Sequence, residues 1–171
     1  VSTLAGDGNT ADTTNGVGTS ARFRYMPGMA TDAAGNVFVT DAKFCQGPGC
    51  NSDAPMIRKI TPTGVVSTLA GPGGSPWIAD GIGAAAFFDD PKGMAADSEG
   101  NIYVADSYNK HSIRKITPAG VVSTVVGGSG RFGFAAGALP GSLYRPSGLV
   151  ISGTTLYITM LHGVAMVTTL P

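Results

Sequence analysis

Charged residues and long apolar runs are scarce in this chain of 171 residues. Only 13% of the residues are charged, and 11 basic residues balance 11 acidic ones. Such a sparse, balanced set of charges excludes the broad basic surface with which proteins bind nucleic acid or anionic lipid. No apolar run reaches the roughly 18 to 20 residues of a membrane-spanning helix, and no amphipathic helical pattern is sustained. We therefore expect neither a nucleic-acid partner nor membrane insertion.

Cysteine is also rare, since the sequence contains only Cys45 and Cys50. The loop between them contains two glycines and a proline, which would let its ends meet, and we predict a disulfide, as for close pairs in exported chains. A metal site would need about four ligands, and no histidine or second cysteine pair is close in sequence. Two free thiols in a surface loop are the remaining alternative. The low charge and the cysteine pair favour a location outside the cytoplasm, with a preceding segment removed or omitted before Val1.

Glycine and proline, by contrast, are abundant, with 26 and 11 residues that fall mainly at turns between apolar runs. This distribution favours an all-β protein. The clearest unit is Pro91 to Gly127, in which four apolar runs alternate with turn residues. Asp97 and Gly100 bracket one of these turns, with Gly100 where a positive φ is expected. The unit predicts an antiparallel meander with strands at 93–96, 102–105, 113–116 and 121–126.

Pieces of this unit recur along the whole chain, which is typical of a repeat architecture. VSTLAG at Val1 to Gly6 returns at Val66 to Gly71, and as VSTVVG at Val122 to Gly127. IRKITPTG at Ile57 to Gly64 returns as IRKITPAG at Ile113 to Gly120. GMATDAAGNVFVTD and GMAADSEGNIYVAD begin at Gly28 and Gly93, and a degenerate third copy begins at Gly148.

These motifs resemble the NHL-repeat family of β-propellers over almost the whole chain. The preceding segments 15–23 and 80–88 are also similar to the family's linkers, whereas the third copy at 136–144 diverges. The resemblance implies three four-stranded blades, half of a six-bladed ring. Residues 27–71 would form blade one, 91–127 blade two and 145–171 an incomplete blade three, while 1–6 would be the outer strand of a neighbouring blade. The family is functionally mixed, so the fold alone implies no particular function.

The strand count predicts self-assembly, because three blades do not close a ring. The last blade lacks its fourth strand, and an unpaired strand there would expose a row of backbone donors and acceptors. A spare strand from another chain would complete it, which predicts head-to-tail joining into a closed dimer in preference to an open filament. The alternative is that the chain is a fragment whose remaining blades belong to the same polypeptide. The residues expected to join are Val1, Ser2, Thr3, Leu4 and Ala5 on one side and Val164, Ala165, Met166, Val167 and Thr168 on the other.

The long loops are predicted to share one side of the molecule, where rigid frames usually carry binding. Trp77, Phe132 and Phe134 lie in these loops beside glycines and a proline. Their rings are candidates for contact with a protein or a glycan. The alternative is that they pack down as a lid on the blades.

Two histidines, His111 and His162, occupy comparable loops on the same side and are further candidates for binding. In lyases of this family a metal held by histidines forms the active site, so a metal-dependent lyase or hydrolase is the alternative function. Two histidines without a third ligand fall short of such a site. We expect surface histidines, no catalytic residue, no metal and no cofactor, with Asp41 and Asp106 accepting backbone hydrogen bonds at strand ends.

Two further groups of polar residues have ordinary structural explanations. Asp7, Asn9 and Asp12 resemble a calcium loop only faintly, because the spacing and closing glutamate of an EF-hand are absent. The repeated basic pairs Arg58-Lys59 and Arg114-Lys115 place their two members on opposite strand faces. We interpret them as solvated strand charges and inter-blade salt bridges in preference to an RNA-binding surface. The sequence thus predicts a non-catalytic interaction or structural module.

Overall fold

A computed structural model of the chain describes residues 1–42, 55–72, 79–128, 137 and 141–170. In these ranges the protein is all-β, with three antiparallel sheets and two three-residue 3-10 turns, Gly18–Ser20 and Gly83–Ala85. Neither turn is long or apolar enough to cross a membrane.

The first sheet has five strands in the order β1-β5-β4-β3-β2. They are β1 Gly16–Val17, β2 Met29–Thr31, β3 Val37–Asp41, β4 Met56–Ile60 and β5 Val65–Ala70. The second sheet repeats this plan in the order β6-β10-β9-β8-β7. Its strands are β6 Gly81–Ile82, β7 Pro91–Ala96, β8 Ile102–Asp106, β9 Ser112–Ile116 and β10 Val121–Gly127.

The third sheet consists, among the described residues, of β11 Leu149–Ser152, β12 Thr155–Met160 and β13 Gly163–Val167 in that order. The apolar runs of the sequence coincide with strands in all three sheets. Gly100 has the positive φ expected of its turn, at 81°, and Asp97 accepts the backbone N–H of Glu99 and of Asn101 there. Turn chemistry therefore fixes the first hairpin of the second sheet.

The expectation of four strands per sheet is wrong for the first two sheets. Each gains a fifth strand, β1 or β6, because the linker before the sheet pairs with its outer strand over two residues. The segments identified in the sequence as linkers thus form the outer edge of the sheet that follows them. Two residues are too few to give a period, which is why the sequence did not show them as strands.

Apolar side chains from neighbouring sheets form the core. Phe38, Ile57 and Ala70 of the first sheet pack against Phe88, Met94 and Val104 of the second unit. A second cluster joins Tyr103 and Ile113 to Leu143, Leu156 and Ile158 of the third unit. Alternation along each strand lets one face bury against the preceding sheet and the other against the next.

Two glycines permit the close approach of neighbouring innermost strands. A Cβ atom on Gly28 would lie 2.0 Å from the carbonyl oxygen of Lys92, and one on Gly93 would lie 2.5 Å from that of Ser147. The Gly93 N–H donates to this Ser147 oxygen at 2.8 Å. There is no space for a Cβ atom at these two positions, so both require glycine.

The outer face of the third sheet is apolar and exposed. Val164 is 68% exposed, whereas Ile57 and Ile113, which hold the same position in the other sheets, are fully buried. At the opposite end, Met29 is 63% exposed, whereas its counterpart Met94 in the second sheet is 5% exposed. The two end faces of the molecule thus have the character of inter-sheet faces without a neighbouring sheet among the described residues.

The N-terminal segment forms no strand in this chain, but it packs as a preceding outer strand would. Gly6 N–H donates to the oxygen of Gly18, as Gly71 N–H donates to that of Gly83, both at 3.0 Å. A Cβ atom on Gly64 would lie 2.8 Å from the Leu4 oxygen, and one on Gly120 would lie 3.0 Å from the Leu69 oxygen. Residues 4–6 therefore occupy, beside the first sheet, the place that 69–71 occupy beside the second.

Candidate binding site on the loop side

We call the side of the molecule that carries the connections after β3, β8 and β12 and after the outer strands β5 and β10 the loop side. The connections after β3, β5 and β10 are the long ones. Trp77, Phe132 and Phe134 lie outside the described residues, as do Cys45 and Cys50. The roles predicted for these five residues remain predictions. His111 and His162 are both described, and each immediately precedes the third strand of its sheet.

His111 is not the surface residue expected from the sequence, since only 4% of it is exposed. Its Nδ1 atom lies 2.7 Å from the carbonyl oxygen of Ser107, which assigns the proton to this nitrogen, because a carbonyl only accepts. The backbone nitrogen of Arg145 lies 3.4 Å from the same Nδ1 atom. A protonated Nδ1 atom cannot also accept the Arg145 N–H, so His111 ties the loop after β8 together through Ser107, and its ring packs against Tyr144 of the segment that leads into the third sheet. His162 is exposed, as expected.

Tyr144, which the sequence did not single out, contacts both histidines. Its ring centroid lies 5.4 Å from that of His111 in an edge-on arrangement at 71°. It lies 6.4 Å from that of His162, with the ring planes inclined by 30°. Three rings from three different connections therefore form one cluster, which we call the ring cluster. Tyr144 lies in the divergent third linker, where no repeat signal could identify it.

The backbone beside the ring cluster is strained. Among the described residues, the non-glycine residues with positive φ are His111 and Arg145, at 49° and 50°. Non-glycine residues enter this region at a cost, and such positions concentrate at functional sites. Arg145 is exposed and follows Tyr144 directly.

A buried ion pair also lies near the loop side in the first sheet. The side chain of Arg58 is fully buried, and its guanidinium donates to Asp41 and to the side-chain oxygen of Asn15, both at 2.7 Å. It also lies 5.2 Å from the centroid of the Phe23 ring. Asp41 accepts the backbone N–H of Arg24 at 2.9 Å, as expected for a strand end.

The second sheet repeats this ion pair around Arg114. Its guanidinium contacts Asp106 at 3.4 Å and Asp80 at 2.9 Å, where Asp80 takes the place of Asn15. Asp106 accepts the backbone N–H groups of Asp89 and Asp90 at 3.1 and 2.7 Å. The expectation of solvated arginines and inter-blade salt bridges is therefore wrong, because each arginine binds its own sheet and linker.

Lys59 and Lys115 lie on the opposite strand face, as alternation predicted. Their ammonium groups lie 5.9 Å from the Phe38 ring and 5.8 Å from the Tyr103 ring. The paired recurrence of Asp41 with Arg58 and of Asp106 with Arg114 was the signal in the sequence for the buried pairs. Strand alternation alone shows only the face of the strand on which each of these residues lies.

Burial raises the pKa of both paired carboxyl groups. Desolvation is the largest cause, and it raises the pKa of Asp106 to about 6 despite backbone N–H donors and the Arg114 charge. The pKa of Asp41 is also raised by burial, which outweighs the Arg24 and Arg58 donors. The two ion pairs therefore lie in low-dielectric surroundings, where they connect each sheet to its linker.

Asp7 and Asp12 use their carboxylates to cap their own loop. Asp7 accepts the backbone N–H groups of Asn9 and Thr10, both at 3.0 Å, and pairs with Arg22 at 3.2 Å. These bonds, chiefly that from Thr10, lower the pKa of Asp7 to about 2. Within the described ranges, no group of three or more His, Cys, Asp or Glu side chains is placed to hold a metal ion.

The opposite side of the molecule carries a cavity of about 260 Å³ between the hairpin turns of the first two sheets. Its lining includes Asp32, Phe38 and Lys59 of the first sheet and Glu99 and Pro118 of the second. The equivalent position to Phe38 in the second sheet is Tyr103, whose hydroxyl donates to Asp97 at 3.3 Å. The cavity therefore lies beside Phe38, at the position that the Tyr103 hydroxyl occupies in the second sheet.

Residues 88–116, which include β7, β8 and β9, match the family model of the NHL repeat. The resemblance to this family is thus confirmed over that stretch. Protein SUPPRESSOR OF QUENCHING 1, a chloroplastic protein of Arabidopsis thaliana, is 34% identical over an alignment of 113 residues that covers 60% of this chain and 10% of that protein.

Solved structures share the fold at low sequence identity. A protein of unknown function from Bacteroides thetaiotaomicron gives a TM-score of 0.60 at 21% identity, over 82% of this chain and 46% of that one. Auxiliary nutrient-binding proteins from the same species and from Bacteroides ovatus give TM-scores of 0.54 and 0.52 at 18% identity, each over 81% of this chain and 46% of theirs. This chain therefore spans a tenth of the curated relative and under half of each of these structures.

Proposed function

We propose that this chain, which contains an NHL repeat, is a non-catalytic binding module of the β-propeller type that works outside the cytoplasm. Its loop side contacts a protein or glycan ligand, and its two end faces join a second copy. Long loops on a rigid frame support the binding role, and two proteins of the same fold are named for nutrient binding. The low charge and the close cysteine pair support the location.

The exposed end face of the third sheet is the observation that carries the assembly proposal. Val150, Tyr157, Val164 and Met166 are 42 to 68% exposed, at positions that the other sheets bury or half-bury against a neighbour. An isolated chain would leave this contiguous apolar patch in water, which single-domain proteins rarely do. The partner face must be apolar and shaped for a sheet, and the first sheet with its exposed Met29 offers such a face.

A strand from one copy that pairs with the third sheet of the other would complete the same junction between end faces. The segment Val1 to Ala5 repeats the sequence of residues 66–70 in the outer strand β5. It lies beside the first sheet as an outer strand would. In the proposed dimer it pairs with β13 of the partner, and the same contact recurs at the second junction by two-fold symmetry. The ring would then hold six sheets.

The mass of the full 171-residue chain in solution, measured by light scattering, tests this proposal. We expect twice the monomer mass for the native chain and a monomer for Val164→Asp, because a buried charge at the junction is costly. Met166→Lys is the matched control, since Lys59 and Lys115 occupy this position in the other sheets. Deletion of Val1 to Gly6 should also dissociate or aggregate the protein. A monodisperse native monomer would overturn self-assembly, and a large open polymer would replace the dimer by a filament.

The alternative function, a metal-dependent propeller enzyme, has a direct test of its own. Elemental analysis of the purified protein and of the variants His111→Ala and His162→Ala would detect a retained metal. We expect no stoichiometric metal in the native protein or in either variant. A metal lost in both variants, together with a measurable activity, would favour the enzyme.

A further inference from the structure

The cavity between the hairpin turns of the first two sheets is larger than the absence of one hydroxyl group explains. Its volume is about 260 Å³, whereas one water molecule takes up about 30 Å³ of the liquid. Pockets for small-molecule ligands start at roughly 300 Å³, so the cavity has room for a compact ligand with one ring. It lies on the side opposite the loop side, and a ligand bound there is independent of the proposed function.

The second sheet shows how a phenol is bound at the equivalent position. Tyr103 is fully buried, and its hydroxyl donates to Asp97 Oδ2 at 3.3 Å. The Lys115 ammonium lies 5.8 Å from the centroid of the Tyr103 ring. The same Asp97 oxygen accepts the side-chain amide of Asn101 at 2.8 Å. One carboxylate oxygen therefore accepts both an amide and a phenol here.

The first sheet keeps this arrangement without the phenol. Asp32 Oδ2 accepts the side-chain amide of Asn36 at 2.7 Å, and the Lys59 ammonium lies 5.9 Å from the centroid of the Phe38 ring. Within the described ranges, this Asp32 oxygen accepts no second donor and Lys59 forms no ion pair. Both residues line the cavity. A hydroxyl group bound there can donate to Asp32 and accept from Lys59 at once.

The rest of the lining selects the group that carries this hydroxyl. Phe38 and Pro118 supply apolar surface, which suits an aromatic ring. Glu99 lines the cavity from the second sheet, so two carboxylates, Glu99 and Asp32, stand against the single ammonium of Lys59. Their excess negative charge repels an anion. The lining therefore favours a neutral or cationic phenol.

We infer that the cavity between the hairpin turns is a binding site for a small phenol without negative charge. The ligand's hydroxyl donates to Asp32 Oδ2 and accepts from Lys59, while its ring contacts Phe38 and Pro118. The ligand thus supplies to the first sheet the phenol that Tyr103 supplies to the second.

Titration of the full chain with tyramine, followed by calorimetry and by NMR shifts, tests this site. Phenethylamine, which lacks only the hydroxyl, and para-hydroxyphenylacetate, which replaces the positive charge by a negative one, are the comparison ligands. We expect tyramine to bind about tenfold more tightly than phenethylamine, as for one hydrogen bond to a charged group, and more tightly than the anion. The shifts should centre on residues 32–34, 59 and 98–100. No tyramine binding, equal affinity for any two of these ligands, or shifts centred elsewhere would overturn the inference.

Phe38→Tyr places a hydroxyl of the chain itself where the ligand's hydroxyl would bind. It should abolish tyramine binding while thermal stability stays equal or rises, because the new hydroxyl has Asp32 as its acceptor. Loss of binding in a stable protein therefore reports occupation of the site. Undiminished binding by this variant would refute the inference.

Asp32→Asn tests the acceptor through a ratio that a loss of stability leaves unchanged, since both ligands are measured on the same variant. The preference for tyramine over phenethylamine should fall from about tenfold to about threefold or less, because the hydroxyl no longer donates to a charged group. Asp80→Asn, which removes the same charge on the loop side, is the matched control and should keep the tenfold preference. A preference that survives Asp32→Asn would show that the hydroxyl does not bind Asp32.

Discussion

Phe38 and Tyr103 occupy the same position in successive sheets and differ by one hydroxyl group. The Tyr103 hydroxyl lies 3.3 Å from Asp97, and burial raises the pKa of this phenol to about 12. Asp32 is placed as Asp97 is, since each accepts a side-chain bond from the asparagine four residues later, at 2.7 and 2.8 Å. The cavity beside Phe38 therefore has room and an acceptor for a hydroxyl.

We predict that Phe38→Tyr stabilises the protein by about 0.5 to 1.5 kcal/mol, the net value of one hydrogen bond. The reciprocal variant, Tyr103→Phe, should lose a similar amount. Urea unfolding of the two variants and of the native chain measures both. A destabilised Phe38→Tyr would mean that the cavity cannot admit the hydroxyl.

The buried ion pairs give a second prediction at the residue scale. Arg114→Met should cost about 3 to 5 kcal/mol, because it leaves the Asp106 carboxylate buried without a countercharge. Asp80→Asn is the matched control, since Asn15 already serves Arg58 in the first sheet, and its cost should stay below about 1 kcal/mol. Similar losses in the two variants would show that the linker contact, not the buried pair, carries the stability.

The cost of Arg114→Met should depend on pH. The folded-state pKa of Asp106 is about 6 even beside Arg114, against about 3.9 in an unfolded chain. Between these values the folded state binds a proton that the unfolded state does not, so this group adds stability as the pH falls. The penalty should therefore be smaller at pH 5 than at pH 8. A penalty that grows toward acid pH would contradict the raised pKa.

At the scale of the strands, sequence reasoning was most successful where the period was long enough to read. The runs around 93–96, 102–105, 113–116 and 121–126 are all strands, because alternation and turn residues agree there. The edge strands Gly16–Val17 and Gly81–Ile82 were missed because two residues have no period. Burial of Arg58 and Arg114 was missed for another reason: the linker that covers them is distant in sequence.

The candidate site was the least predictable part. His162 was found from its position before a third strand, but Tyr144 ends the divergent linker and Arg145 follows it directly. Their relation to His111 depends on how two sheets pack, and strand periodicity carries no information about that. The positive φ of Arg145 also has no signal in its residue type, since glycine is the usual choice.

Close packing of the innermost strands gives a prediction about Gly93. A methyl group there would lie 2.5 Å from the Ser147 oxygen, and relieving this overlap should cost about 1 to 3 kcal/mol. Gly163→Ala is the control, because the nearest atom to its new methyl group is the end of Met160 at 4.0 Å. Thermal unfolding compares the two, and an equally stable Gly93→Ala would show that the sheets can separate.

At the scale of the whole molecule, the proposed dimer couples folding to concentration. Burial of both end faces stabilises only the associated state, so the melting temperature should rise with protein concentration. Scanning calorimetry over a hundredfold range measures this effect, with Val164→Asp as the concentration-independent comparison. A melting temperature that is constant for the native chain would mean that its sheets are stable with their end faces open.

The edge strands β1 and β6, which the preceding linkers supply, affect how such chains gain and lose repeats. The sequence repeat and the sheet are out of phase, since one repeat runs from an outer strand to the outer strand of the next sheet. A duplication or excision between matching outer strands, such as Val66 to Val121, would change the number of sheets by one. Every remaining sheet would still receive its fifth strand from the linker before it, because each unit contacts only its neighbours. Recombination within the VST motifs would then change the number of repeats, and the proposed closure into a ring would limit which numbers persist.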